Sequence, residues 1–234
     1  GPDSLSNIDF MTPEFEKPSK THQTLYFQNK AWSINSDEIK ELELTDLNHF
    51  VWSDKVNKFD AQISKERLTT ITELNGFHDI EIHAEGAKCH FLKFLLNASN
   101  FFWDKEEDLT DDEVLDCAAH MISKMTAIGY LLHSYKDQST AKAVIAMDGK
   151  LSEIGSSHGR TGKSLVGRAI EQVIPLTYIS AKGKKLTEDP FLFEEVTEKT
   201  EVVFLDDVRA NLDFEFFFPV ISGKLTVNTK GTKK

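Results

Sequence analysis

The sequence predicts an α/β protein whose C-terminal part contains a parallel sheet. Two apolar runs, 142–147 and 201–205, have the length and composition of buried strands. Helical patterns follow over 163–173 and 213–221. Because parallel strands are joined by crossover connections, usually helices, this alternation favours a parallel sheet in an α/β domain.

The composition is that of a folded protein with a sizeable core. The chain has 234 residues, 40% of them hydrophobic, and a formal net charge of −11. These values exclude collagen-like, disordered and coiled-coil chains, and the charge argues against a generally basic protein that coats nucleic acid. Cys89 and Cys117 are too few for a disulfide framework, so we expect buried thiols in a reducing cytoplasm. Since no run reaches about 18 apolar residues, we expect no membrane span.

The N-terminal part combines strand-like and helix-like patterns. Strand-like runs at 24–27 and 31–34 flank a polar turn, which predicts a small hairpin. Trp52 lies where acidic and apolar residues alternate, and we expect it to anchor the core. The aromatic-rich run over 88–103 predicts a helix packed into a core.

A long amphipathic helix is the clearest element of the sequence. Thr110 and Glu113 have the spacing of a capping box. From there apolar residues recur at spacings of three and four for about 20 residues, and the pattern ends near 133–134. We therefore predict an N-terminal mixed, mostly helical domain over 1–137 and a second domain over 138–234.

A glycine-rich loop before the helical pattern at 163–173 has the residues of a phosphate-binding loop. Gly162, Lys163 and Ser164 match the end of the G-x-x-x-x-G-K-[ST] pattern. In such a loop backbone N–H groups surround the phosphates of ATP, the lysine reaches the β- and γ-phosphates, and the serine hydroxyl ligates Mg²⁺. The residues expected to contact the nucleotide are Ser157, His158, Gly159, Arg160, Thr161, Gly162, Lys163, Ser164 and Leu165.

One residue of this loop departs from the strict pattern. Ser157 stands where the pattern has its first glycine, although Gly155 and Gly159 flank it. A Gly-Lys-Ser triplet also occurs by chance, so an ordinary surface turn is the alternative interpretation. The apolar run before the loop and the helical pattern after it favour phosphate binding.

A pair of carboxylates follows the second apolar run. Asp206 and Asp207 come about 40 residues after the Gly-Lys-Ser triplet. In this interpretation Asp206 holds Mg²⁺, directly or through water, and Asp207 positions or activates the water that attacks the γ-phosphate. The alternative is a strand followed by an Asp-rich turn without a catalytic role.

The last 16 residues are basic although the whole chain is acidic. They contain Lys224, Lys230, Lys233 and Lys234 and no acidic residue. A basic hairpin, with a strand at 225–227, can follow the phosphates of single-stranded DNA. The alternative is a solvated edge strand protected by lysines.

These segments together resemble superfamily 3 helicases of the branch that contains primase–helicases of phages and mobile elements. The resemblance is close over about 128–230 and weaker before it. The segments that carry it are Gly159-Arg160-Thr161-Gly162-Lys163-Ser164-Leu165, Phe204-Leu205-Asp206-Asp207-Val208, Phe214-Glu215-x-x-Phe218, Ile221-Ser222-Gly223-Lys224-Leu225-Thr226-Val227-x-x-Lys230 and Ile128-Gly129-Tyr130-Leu131-Leu132-His133-x-Tyr135-Lys136.

The resemblance implies an AAA+ P-loop ATPase core that uses ATP and Mg²⁺ for DNA replication. Lys163 and Ser164 match the Walker A residues of that family, and Asp206 and Asp207 match its Walker B acids. The stretch from Lys224 to Lys230 matches the hairpin that follows single-stranded DNA in the pore of a homo-oligomeric ring, usually a hexamer. The family thus implies a DNA helicase, and the cysteine usage predicts that it is cytoplasmic.

The chain is expected to lack two further parts of that core. A strand ending in a sensor asparagine, followed by an arginine finger, is expected after the basic stretch, and the sequence ends before it. Two alternatives to a helicase therefore stay open. One is a nucleotide-binding assembly or loader ATPase without unwinding activity, and the other is an interaction module with a degenerate P-loop.

Overall fold

The structure is a computed structural model. The residues that it describes are 12–74, 76–99, 109–147, 162–183, 185–208 and 212–228. The chain divides into two compact units, the first ending at Gln62 and the second beginning at Ile63. Strands occur in both, and the α-helices of the described residues all lie in the second. The architecture is mixed α/β, as the sequence predicts.

A four-stranded sheet forms the first unit. Its strands are β1 (Gln23–Phe27), β2 (Ala31–Ile34), β3 (Ile39–Leu42) and β4 (Val56–Asn57). Their order is β3-β2-β1-β4, in which β4 runs parallel to β1 and the other pairs are antiparallel. The predicted hairpin is confirmed, with Leu25 opposite Trp32. In its described residues this unit has no α-helix, whereas the sequence predicts a mostly helical N-terminal domain.

Aromatic side chains pack around the buried Phe27 in the first unit. Phe27 is 2% exposed, and its ring centroid lies 4.7 Å from that of Trp32 and 5.5 Å from that of Phe59. Trp52, predicted to anchor the core, is 61% exposed and stacks on Phe15 with centroids 4.6 Å apart. That prediction is wrong because Trp52 lies outside the strands, directly before a single 3-10 turn.

A hairpin and two helices form the first half of the second unit. They are β5 (Thr69–Leu74), β6 (Phe77–Ile82), α1 (His90–Ala98) and α2 (Asp111–Leu131). The two strands pair antiparallel, and α2 packs against β6 and α1. Leu96, Ala118 and Met121 lie in the core between these elements and have no exposed surface. The helix predicted within 88–103 is confirmed by α1.

The start of α2 has the predicted capping box. The Thr110 backbone N–H donates to Glu113 Oε2 at 2.9 Å, and the Glu113 N–H donates to Thr110 Oγ1 at 3.4 Å. These reciprocal bonds satisfy two of the N–H groups that the start of a helix leaves open. No helix within the described ranges, α2 included, is long and apolar enough to cross a membrane.

A parallel strand pair and two helices form the second half of this unit. They are α3 (Lys163–Glu171), β7 (Leu176–Ser180), β8 (Val202–Asp206) and α4 (Phe218–Ser222). In the parallel register of β7 and β8, Tyr178 lies opposite Phe204 and Ser180 opposite Asp206. The parallel sheet and the strand at 201–205 are thus confirmed, and β7 is a strand that the sequence analysis did not predict.

The apolar run 142–147 does not form the predicted buried strand. Ile145 is 58% exposed and Met147 is 77% exposed. An apolar run becomes a buried strand only where neighbouring strands take its backbone hydrogen bonds, and in the described part of the chain this run is in no sheet. The apolar composition of this run therefore predicted the wrong structure.

The C-terminal end of the described chain is less regular than the sequence predicts. The helix predicted over 213–221 is a 3-10 turn, Glu215–Phe217, followed by the short helix α4. Pro219 stands in the first turn of α4, where a residue without an N–H group is tolerated. The predicted strand at 225–227 is irregular.

The break between the compact units differs from the predicted domain boundary. Because α2 packs against both β6 and α3, residues on the two sides of 138 lie in one compact unit. The structure places the break after Gln62. The division into domains over 1–137 and 138–234 stays a prediction.

Candidate functional site

The last glycine of the phosphate-binding pattern begins α3. Gly162 is the N-cap of this helix and has a φ of 84°, in the left-handed region that favours glycine. A Cβ atom at this position would lie 2.4 Å from the Phe94 ring of α1. Both the backbone conformation and the close contact therefore explain why glycine stands here. The predicted nucleotide contacts Ser157, His158, Gly159, Arg160 and Thr161 lie outside the described residues.

The first turn of α3 meets the end of β8. Ser164 Oγ lies 3.1 Å from Asp206 Oδ1 and 2.9 Å from Asp206 Oδ2, and the hydroxyl donates to this carboxylate. The two residues are 42 positions apart in the sequence. The structure therefore joins the two residues that the sequence analysis assigned to Mg²⁺, although they belong to separate motifs.

Close packing of α3 on β8 brings these residues together. A Cβ atom on Gly167 would come within 3.0 Å of the Phe204 ring. Because glycine has no side chain, the helix can lie directly against the strand. Leu165, by contrast, is 51% exposed on α3.

Two side chains that the sequence analysis missed complete the group. The Tyr178 hydroxyl donates a hydrogen bond to Asp206 Oδ2. The Arg168 guanidinium lies 4.6 Å from the centroid of the Tyr178 ring, and its Nη1 donates to Glu171 Oε2 at 2.8 Å. The sequence could have indicated that Arg168 lies near the site, because it is four residues after Ser164 and therefore on the same face of the helix. Tyr178 was not, because β7 was not predicted.

The electrostatics of the group keep Asp206 ionised. Burial raises the pKa of Asp206, but hydrogen bonds from Tyr178, Ser164 and the Asp207 N–H, with the charge of Lys163, hold that pKa below its ordinary value. The hydrogen bond to Asp206, together with burial, raises the pKa of the Tyr178 hydroxyl. At neutral pH the group therefore consists of a carboxylate and a protonated phenol.

Asp207 occupies the turn directly after β8. Its φ is 55°, a left-handed conformation that aspartate adopts more readily than most residues. Its N–H donates to Asp206 Oδ1 at 3.1 Å, and the residue is exposed. Asp207 thus contributes its backbone N–H to the site. Its carboxylate belongs to the residue that directly follows Asp206 in the sequence.

Of the two predicted DNA-binding residues, the structure describes Lys224. Lys224 is exposed and follows α4. The Lys136 ammonium donates to the carbonyl oxygens of Val220 at 3.1 Å and Gly223 at 3.3 Å. These hydrogen bonds hold the C-terminal end of α4, directly before Lys224. Lys230 lies outside the described residues.

The described part of the site offers oxygen donors that suit Mg²⁺. Hydroxyl and carboxylate oxygens such as those of Ser164 and Asp206 suit this ion, which usually keeps several waters and binds substrate phosphates. Among the described residues no group of three or more His, Cys, Asp or Glu side chains could hold a metal ion. Phosphate and water oxygens are the further ligands that this ion commonly takes in such a site.

Comparison of the chain with protein-family models, curated proteins and solved structures finds no match.

Proposed function

We propose that the second unit binds ATP and Mg²⁺ at the start of α3 and forms part of the ATPase core of a DNA helicase. The observation that carries the proposal is the contact of Ser164 with Asp206 beside a glycine-capped helix start. A helix start with a glycine turn, a lysine, a hydroxyl and a carboxylate supplies what phosphate–Mg²⁺ binding needs. The fold around it, a helix packed on parallel strands, is compatible with a P-loop core.

Each residue of the group has a role in this proposal. Lys163 and the first N–H groups of α3 bind the β- and γ-phosphates. Ser164 can direct a lone pair at Mg²⁺ while its O–H still donates a hydrogen bond to the Asp206 carboxylate, so their contact is compatible with a bound metal. Asp207 accepts the proton of the water that attacks the γ-phosphate, which leaves ADP and phosphate as products.

The coupling to DNA rests on the basic C-terminal stretch. Lys224 and Lys230 bind phosphates of single-stranded DNA, and hydrolysis drives translocation in a homo-oligomeric ring, as in the superfamily 3 helicases that the sequence resembles. The acidic charge of the whole chain, −11, makes binding through this local positive stretch the favoured arrangement. Such an enzyme would serve the replication of a phage or mobile element.

Replacing Asp206 with Asn is expected to remove the Mg²⁺-dependent part of ATP binding. Asparagine keeps the shape of the side chain but loses its charge, and the loss of a group that orients or binds a metal typically lowers metal affinity about 10- to 100-fold. Equilibrium titration with a fluorescent ATP analogue, in Mg²⁺ and in EDTA, measures the effect.

The matched control for this experiment is Asp116→Asn, on the exposed face of α2. It should bind the analogue as the parent chain does. If the parent chain binds no analogue in the presence of Mg²⁺, the proposed function is wrong.

Replacing both Lys224 and Lys230 with Ala is expected to weaken the binding of single-stranded DNA. It should also make the binding constant depend less steeply on salt concentration. Each phosphate contact contributes about 0.7 to the slope of log K against log salt concentration, so the slope should fall by about 1.4. Fluorescence anisotropy of a labelled oligonucleotide at several salt concentrations measures it.

The control removes two exposed lysines that pair with acidic residues, Lys88 with Glu85 and Lys185 with Glu188. Its net charge equals that of the test variant. If the test variant and the parent have the same slope, the basic stretch is an edge strand protected by lysines and does not contact DNA.

A further inference from the structure

The Asp206 carboxylate is held by donors from three elements. Ser164 donates from α3, Tyr178 donates from β7, and the Asp207 N–H donates from the turn after β8. A carboxylate has about four acceptor positions. The three donors therefore fix its orientation, and among the described residues they leave one position for a metal ion or a metal-bound water.

We propose that Tyr178 and Arg168 are positioning residues for Asp206. The Tyr178 hydroxyl holds the carboxylate beside Ser164, and the Arg168 guanidinium holds the Tyr178 ring. This inference rests on the proposed function, in which Ser164 and Asp206 serve a Mg²⁺ ion.

The register of the parallel strands explains how Tyr178 reaches Asp206. Tyr178 lies opposite Phe204, and Asp206 lies two residues further along β8. Residues two apart on a strand share one face and are separated by about 6.6 Å, at about 3.3 Å per residue. Tyr178, Phe204 and Asp206 therefore lie on the same face of the sheet, which is the face that α3 covers through Gly167.

Two neighbours hold the Tyr178 ring in place. The ring stacks on Phe204 with centroids 5.7 Å apart and planes inclined by 29°. The Arg168 guanidinium lies over it, and Glu171 binds Arg168 from the next turn of α3. A cation over an aromatic face is an attractive arrangement, and here it joins the helix to the strand that supplies the hydroxyl.

In this inference Tyr178 acts through Asp206 and not on the nucleotide. Tyr178 contacts Asp206, whereas Lys163 and the helix start that would bind phosphate lie on α3. Loss of the Tyr178 hydroxyl should therefore change how the site uses the metal and leave metal-free binding of the nucleotide intact.

The test is Tyr178→Phe, which removes one oxygen atom and keeps the ring. In the full chain, titration of Mg²⁺ at a fixed concentration of fluorescent ATP analogue gives the half-saturating Mg²⁺ concentration. It should rise about tenfold, in the range found for groups that orient metal ligands. Binding of the analogue in EDTA should equal that of the parent. Binding of Mn²⁺ in the presence of ATP, measured by electron paramagnetic resonance, should weaken by the same factor.

Two further variants separate positioning from a loss of folding. Arg168 is exposed, its side chain 54% accessible, so Arg168→Gln should leave the fold intact and still raise the half-saturating Mg²⁺ concentration. Arg168→Lys keeps a cation over the ring and should restore most of the parent behaviour. Tyr130→Phe is the matched control, because its hydroxyl accepts from the Lys142 N–H at 2.9 Å outside the site.

Each outcome decides between the inference and the proposed function. If the parent depends on Mg²⁺ and Tyr178→Phe has the same half-saturating Mg²⁺ concentration as the parent, the positioning role alone is overturned. An equal loss of affinity in EDTA and in Mg²⁺ would show a general structural role and also overturn it. A parent chain that binds the analogue equally well in EDTA and Mg²⁺ would overturn the proposed Mg²⁺ site, and this inference with it.

Discussion

Replacing Lys163 with Ala is expected to lower the affinity for ATP about 10- to 150-fold. Lys163 is the first residue of α3, and its positive charge adds to the attraction of the helix start for an anion. Hydrogen bonds to charged groups contribute about 1.5–3 kcal/mol, which corresponds to that range of dissociation constants. Isothermal titration calorimetry with ATP and Mg²⁺ measures the change in the full chain.

Lys88→Ala is the control for this experiment. Lys88 is exposed, pairs with Glu85 and lies before α1, so its removal changes the net charge by the same amount. Its affinity for ATP should equal that of the parent. An unchanged dissociation constant in the Lys163 variant would contradict the assignment of a phosphate-binding loop.

Replacing Leu96 with Ala is expected to lower the free energy of unfolding of the second unit by about 2–5 kcal/mol. Leu96 has no exposed surface and packs in the core that Ile80, Ala118 and Met121 share. Removal of a buried leucine side chain loses its burial and leaves a cavity that the helices around it can fill only in part. Urea unfolding followed by circular dichroism measures the loss.

Leu68→Ala is the matched control, since Leu68 is 36% exposed in the same unit. Its effect should be clearly smaller because less apolar surface is lost from the interior. A loss for Leu96→Ala no larger than that for Leu68→Ala would contradict the core described for α1, α2 and β6.

Local signals predicted some elements of the fold well. The capping box of Thr110 and Glu113 and the apolar stripe behind it involve residues within a few turns of one helix, so the sequence alone identifies α2. The same holds for the hairpin of β1 and β2, whose strands flank a short turn. Ser164 and Asp206 were predicted because each lies in a short motif with its own chemistry.

The elements that were misjudged depend on distant partners. The run 142–147 and the strand β8 are both apolar, but only β8 has a partner strand in the described part of the chain. Composition does not distinguish them, because the partner of β8 is β7, a strand with polar residues that the pattern did not indicate. Tyr178 and its contact with Asp206 were missed for this reason. The exposure of Trp52 is likewise set by where the chain turns and not by its own residue type.

Because Ser164 and Asp206 are far apart in the sequence, the candidate site can form only after the ribosome has synthesised Asp206. During synthesis the 42 positions between them take about 2–8 s at the usual rates of translation. The parallel pairing of β7 with β8 requires closure of the connection over 181–201, whereas the turn between β1 and β2 closes locally. A nascent chain thus acquires its first sheet and the long helix α2 before it has a carboxylate for Ser164 to contact.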